Sequence, residues 1–332
     1  MSYPLTITVR YPTPDPITLR TEDDWDRDIQ PQRRKTTDGA TVFKLEADRP
    51  HLYFKPVLAG TEAPLWSQGP NFLAVSGQER TLEAFPYFKA DTECSVCALN
   101  FIDSMLMGER FDLRVFLPPG YYENTLRRYP VLYMQDGHNL FFAEEAAFGE
   151  DWKIRETIER LTEMNQTDPM IVVGVRPNDR MKEYTAPGFE LYARFMAEEL
   201  KPLIDSRYRT RPEPEHNAVM GSSLGGVVSL HTVWQHPKAF GAAACLSSTF
   251  GFRDDLLERV VSQKKPNVRV YLDSGWPRDN FETTRAMRAA MVRKGFEEGK
   301  DLMYFAFPEA RHNEKSWAMR CHLPMQFLFG RG

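Results

Sequence analysis

Met220-Gly221-Ser222-Ser223-Leu224-Gly225-Gly226 sets a serine among glycines, where a short apolar run (217–220) meets a helix-compatible run (227–235). A Gly-x-Ser-x-Gly turn from strand to helix holds one serine on a strained corner, its Oγ pointing out of the sheet edge. Gly221 and Gly225 suit a place where strand and helix backbones pass too close for a Cβ, and Gly226 lets the new helix pack onto its neighbour. Ser223 takes the nucleophile position and Ser222 the x position. The chemistry this predicts is attack on a carbonyl carbon. A hydroxyl attacks poorly until a base removes its proton, so the chain must also supply a histidine.

Of the seven histidines, His216 precedes the elbow strand, His231 and His236 lie on the helix after it, His51 is near the N-terminus and His322 falls in the last helix. His312 differs, because it lies on a loop after the last strand, Phe307-Pro308-Glu309-Ala310-Arg311-His312-Asn313. Loops beyond the C-terminal ends of parallel strands are where open α/β sheets put their chemistry. The order Ser, acid, His along the chain then directs attention to 273–280, which offers Asp273 at the expected end of a strand and Asp279 deeper in the loop. Either could instead brace a turn or cap a helix. Asp279 ranks first, since the extra loop length lets it reach a neighbouring loop. Charge developing on the attacked oxygen needs fixed donors. The backbone N–H of Leu224 is one, and Gln135-Asp136-Gly137-His138-Asn139-Leu140-Phe141 supplies the second from His138 or Asn139, with Gly137 allowing a tight approach.

The elements that must carry these residues change character near residue 95. Residues 1–95 read as short β-prone runs such as Thr41-Val42-Phe43-Lys44-Leu45 and the run 51–58, separated by turn residues such as Asp38-Gly39, and predict a small antiparallel sandwich. Trp66 there is expected as an ordinary packing residue, with stacking on a sugar as the alternative. Residues 96–332 alternate strands (111–117, 131–134, 170–175, 217–220, 242–246, 268–272, 302–307) with helices (151–164, 189–206, 227–235, 281–295, 315–328). This grammar predicts an α/β-hydrolase-type, doubly wound, mostly parallel sheet.

Composition agrees with a soluble enzyme. The 332 residues carry a formal net charge of −4, which gives no pull toward nucleic acid or an anionic membrane. There is neither a basic-then-apolar leader nor an 18-residue apolar run, so the expectation is a cytoplasmic protein without membrane contact. Cys245 and Cys321 sit in apolar settings as buried thiols, and Cys94 and Cys97 lack the second pair that a zinc site requires. No metal or organic cofactor is implied. Oligomeric state is not encoded.

Four segments in this order, 136–141, 180–184, 221–226 and 311–317, resemble the esterase D family, closest to its enterochelin-esterase-like branch, which often carries an N-terminal sandwich. The family includes enterochelin esterases, S-formylglutathione hydrolases, feruloyl esterases and mycolyltransferases. The resemblance implies a Ser223–Asp279–His312 triad acting on a small-molecule ester, with Arg180 and Glu183 near the pocket, shaping it or binding a polar substrate group; Trp276, in the acid loop, is a further substrate-binding candidate. The chain departs from the family in that loop, where Trp276-Pro277-Arg278 intervenes before Asp279. The expected reaction is ester hydrolysis through an acyl-enzyme. Its rivals are acyl transfer to an alcohol and a non-catalytic ligand-binding protein with an idle serine.

Overall fold

The computed structural model describes residues 2–35, 38–60, 63–77, 82–89, 95–96 and 100–330. Cys94 and Cys97 lie outside the described residues. The chain divides into two compact units, Met1–Cys94 with Pro118–Arg128 and Glu163–Asn165, and Ser95–Leu117 with Tyr129–Thr162 and Gln166–Gly332. The composition shift near residue 95 gives no sign of the two short returns to the first unit.

The first unit is built from β1 (Tyr3–Arg10), β2 (Ile17–Thr21), β3 (Asp24–Ile29), β4 (Arg33–Lys35), β5 (Ala40–Ala47), β6 (His51–Leu58), β7 (Leu65–Trp66), β8 (Phe72–Val75) and β9 (Leu82–Ala84). One sheet runs β4-β5-β1-β9 and the other β3-β2-β6-β7, with β8 also on β6. Alternation along β1 sends Leu5, Ile7 and Val9 inward, where they share a core with Phe43, Leu19 and Phe54. Trp66 is half-buried, with the Trp25 ring 6.1 Å away and the Arg20 guanidinium 5.0 Å above it. It packs within the unit.

The second unit is organised by a nine-stranded sheet. Its strands are β10 (Ser95–Val96), β11 (Asn100–Ser104), β12 (Glu109–Leu117), β13 (Val131–Gln135), β14 (Ile171–Val175), β15 (Asn217–Ser222), β16 (Ala242–Leu246), β17 (Arg269–Trp276) and β18 (Leu302–Pro308). They lie in the order β10-β12-β14-β13-β15-β16-β17-β18, with β11 on β12; β14 through β18 are parallel and β12 joins them antiparallel. β13, β14, β15 and β16 are buried at every position, as continuous apolar runs covered on both faces must be.

Around the sheet lie α1 (Ile154–Glu163), α2 (Arg180–Glu183), α3 (Gly188–Phe195), α4 (Lys201–Arg207), α5 (Leu224–Gln235), α6 (Leu256–Ser262), α7 (Phe281–Arg293), α8 (Glu314–Arg320) and α9 (His322–Phe329). Two expectations need correction here. The single helix predicted over 315–328 is two, because Pro324 lacks an N–H and its ring would meet the carbonyl four residues back. The strand predicted over 268–272 runs on to Trp276, so Asp273 lies inside the sheet and not at its end.

Candidate active site

β15 delivers Ser223 to a turn before α5 with φ 55° and ψ −122°, a conformation uncommon for a residue with a Cβ. Its own N–H is tied to the Leu246 carbonyl at 2.9 Å, which holds the corner in place. A Cβ on Gly221 would stand 2.6 Å from the Gly225 carbonyl carbon, so strand and helix can meet this closely only through glycine. Ser223 is partly exposed, whereas Ser222 is buried at the end of the strand. The Leu224 N–H belongs to the first turn of α5, where no intrahelical acceptor exists.

Behind the serine, Asp136 adopts φ 55° and heads a 3-10 turn, Gly137–Asn139. A Cβ on Gly137 would lie 2.5 Å from the Gly174 carbonyl carbon, so this loop is pressed against β14. Asn139 is not available as an oxyanion donor. Its N–H is spent on the Asp136 carbonyl at 2.8 Å, and its side-chain oxygen accepts the Ala147 N–H at 2.9 Å. His138 remains the candidate, at the start of the turn and lining a cleft of about 340 Å³ with Gly137, Arg114 and Arg176. Burial holds its imidazole below the usual histidine range.

Arg180 and Glu183, both on α2, have different fates. Arg180 grips Asp136 with two parallel bonds, Nε to Oδ1 at 2.7 Å and Nη2 to Oδ2 at 2.9 Å. Glu183 is fully buried, its Oε1 accepting the N–H groups of Asn178 and Asp179. It braces the loop from within, with no oxygen exposed to solvent. Burial pushes its carboxyl up to about 7.

His312 and Asp279 come together from adjacent loops, Nδ1 to Oδ1 at 2.6 Å. The Asp279 side chain is 1% exposed, and its Oδ2 accepts the Ser247 hydroxyl at 2.6 Å and the Gly275 N–H at 2.8 Å. Burial works to raise this acid, but the bonds from His312, Ser247 and Gly275 outweigh it and hold the carboxyl below the usual range. The Trp317 ring stands edge-on to the imidazole at 5.1 Å. Asp273 takes no part in this pairing. It is wholly buried, bonded to the Tyr271 hydroxyl at 3.0 Å and to the Arg320 guanidinium at 3.0 Å, and burial pushes it up to about 6.

Trp276 is 47% exposed and lines a cleft of about 660 Å³ with Arg278, Asp279, Glu309, Arg311 and His312. Reading the residues alone missed Asp136, Ser247, Trp317 and Arg320. Asp136 stood within a segment already singled out, next to Gly137; nothing local marks Ser247 or Arg320. Among the described residues, no three His, Cys, Asp or Glu side chains converge as a metal site, and no helix is long and apolar enough to cross a membrane.

The Esterase family model matches residues 104–319, well over half of the chain. The chain belongs to the Esterase family. This esterase is 24% identical over 246 residues to YbbA of Bacillus subtilis, a match covering 67% of the chain and 93% of that protein. It is 29% identical over 149 residues to an endo-1,4-beta-xylanase/feruloyl esterase of Xylanibacter ruminicola, across 42% of the chain and 20% of that protein. Among solved structures, a ferulic acid esterase superposes with a TM-score of 0.62 at 18% identity, covering 73% of this esterase and 99% of that chain. The enterobactin esterase of Shigella flexneri superposes at 0.60 with 14% identity, covering 98% and 93%. These likenesses are of fold, the α/β-hydrolase fold, and the second spans nearly all of this chain, its β-rich N-terminal region included. Family membership makes the protein a carboxylic ester hydrolase.

Proposed function

We propose that the protein hydrolyses a small-molecule ester through an acyl-enzyme on Ser223. Ser223 Oγ attacks the carbonyl carbon while His312 takes its proton, and the N–H groups of Leu224 and His138 receive the charge developing on oxygen. His312 returns the proton to the departing alcohol oxygen. A water then repeats the sequence, giving its proton to His312 as its oxygen bonds the acyl carbon, and the acid leaves as Ser223 recovers its hydrogen. Asp279 holds the imidazole in the tautomer with Nδ1–H and stabilises the imidazolium. The observation carrying this reading is the 2.6 Å pairing of a buried Asp279 with His312, beyond the ends of β17 and β18 in the same parallel sheet whose β15 leads to a serine held at positive φ.

The cleft beside His312 supports a flat, negatively charged substrate. Trp276 offers an exposed ring for stacking, and Arg278 and Arg311 line the same wall as Glu309, the other carboxylate there, Asp279, being buried against His312. The deciding experiment is reaction with a fluorophosphonate probe, followed by mapping of the modified peptide. Labelling at Ser223 that disappears in His312→Gln is expected; an unlabelled Ser223 in folded protein overturns the mechanism. Hydrolysis rates across anionic and neutral aromatic esters test the cleft.

A further inference from the structure

Beneath the Asp279–His312 pair lies a cluster of buried polar groups that the reaction as written does not use. Arg320 on α8 is 3% exposed, yet its guanidinium lies 3.0 Å from Asp273 and 3.5 Å from Asp279. One cation therefore serves two buried carboxylates. Its Nε also donates to Asp273 Oδ2 at 3.1 Å, and Nη2 donates to the Ser247 hydroxyl oxygen. Trp317 Nε1 donates to that same oxygen at 3.0 Å, so the only direction left for the Ser247 proton is Asp279 Oδ2, 2.6 Å away. The guanidinium is not saturated, since its Nη1 is buried without a partner.

We propose that Arg320, Ser247 and Asp273 are positioning residues that fix Asp279 and govern how readily His312 accepts a proton, an inference that rests on the Asp279–His312 reading above. The charge count gives the reason. With both carboxylates ionised and His312 neutral, Arg320 leaves the buried group one negative charge in excess. When His312 takes the serine proton the group becomes neutral, and the imidazolium forms where a positive charge is lacking. A low-dielectric interior makes such a balance matter more than in water. The other titratable or charged groups facing this cluster are Tyr271 on β17, Cys321 between α8 and α9, Cys245 on β16 and Glu314 at the start of α8, with Arg278, Glu309 and Arg311 lining the cleft beside His312; Asp136 and Arg180 act on Glu314 from the neighbouring loop and α2. None of these others places a cation between the two aspartates.

The proposal makes opposite predictions for two substitutions next to one another. Asp273→Asn removes a negative charge and should lower the His312 titration midpoint by about half a pH unit or more; Arg320→Met should raise it by a similar amount. The double variant, having lost one charge of each sign, should titrate near the parent. NMR titration of the His312 ring, assigned by its loss in His312→Gln, reads this without reference to turnover. The acid limb of the kcat/KM profile should move in step. If Arg320→Met does not fold, Asp273→Asn and Ser247→Ala decide the matter, the second through lost order of the imidazole signal. Unmoved midpoints in folded variants overturn the proposal. If the midpoints shift while Ser223→Ala keeps full activity, it is the Ser223 mechanism that fails.

Discussion

Asp136 receives both arms of the Arg180 guanidinium, at 2.7 and 2.9 Å, while its backbone carbonyl receives the Asn139 N–H that closes the turn carrying His138. One residue thus joins a charge clamp to the loop that carries the proposed donor, the His138 N–H. The Asp136 side chain is 7% exposed, so losing the clamp leaves a nearly buried carboxylate unpaired. Arg180→Ala should lower kcat by about tenfold to a hundredfold through a loosened donor, with a smaller change in KM. Arg180→Lys should recover only part, because an ammonium cannot reproduce two parallel bonds. Steady-state kinetics on any good ester reads both; a loss confined to KM would make Arg180 a substrate-binding residue alone.

Ser223 and Ser222 offer an internal control one residue apart. Ser223→Ala should lower kcat by about 10⁴- to 10⁶-fold with the fold intact, as for other activated serine nucleophiles. Ser222→Ala should cost far less, since its side chain is buried at the end of β15. Rates measured beside circular dichroism check this, and equal losses at both would reject Ser223 as the nucleophile.

The two aspartates separate in the same way. Asp279→Asn should cost about 10³- to 10⁴-fold in kcat by disturbing the His312 tautomer. Asp273→Asn should act mainly on stability, by about 1 kcal/mol or more, with activity changed by less than tenfold at the optimum pH. Denaturant melts and kinetics on the same preparations check the contrast. A large kcat loss at Asp273 with near-normal Asp279→Asn would reverse the roles.

Glu183 predicts a pH dependence of stability. Its carboxyl ionises near 4.5 when unfolded but only near 7 in the fold, so between those values the folded chain holds the extra proton. Its contribution is fully present below pH 4.5 and is lost as pH rises through 7, amounting to at most about 3 kcal/mol. Glu183→Gln should therefore flatten the fall in stability between pH 5 and 7.5. Urea midpoints across that range measure it, and parallel curves for the two proteins would show that Glu183 ionises normally.

What was legible in the sequence follows from how local each signal is. The elbow at 220–226 and the loop at 307–313 are short runs whose glycines, serine and histidine report their own backbone settings, and Asp279 was ranked above Asp273 on loop length alone. The strands were legible because β13 to β16 are buried on both faces and so read as unbroken apolar runs. Asn139 reads as a donor in the sequence because a polar residue beside a pocket looks the same there whether it faces ligand or backbone. Arg320 was invisible: its partners Asp273 and Ser247 lie 47 and 73 positions away, a meeting that only the folded sheet creates.

His312 hangs from β18, which among the described strands is an edge, paired with β17. Ser223, in contrast, follows β15 in the middle. The proposed nucleophile and base therefore sit in regions of unequal local stability, since edge strands open by smaller excursions than central ones. On warming or in mild denaturant, catalysis should be extinguished by fraying of the margin before the body of the sheet melts. Amide hydrogens of residues 302–308 should exchange ahead of those of 217–222, and His312 should lose its setting while Ser223 still keeps its own.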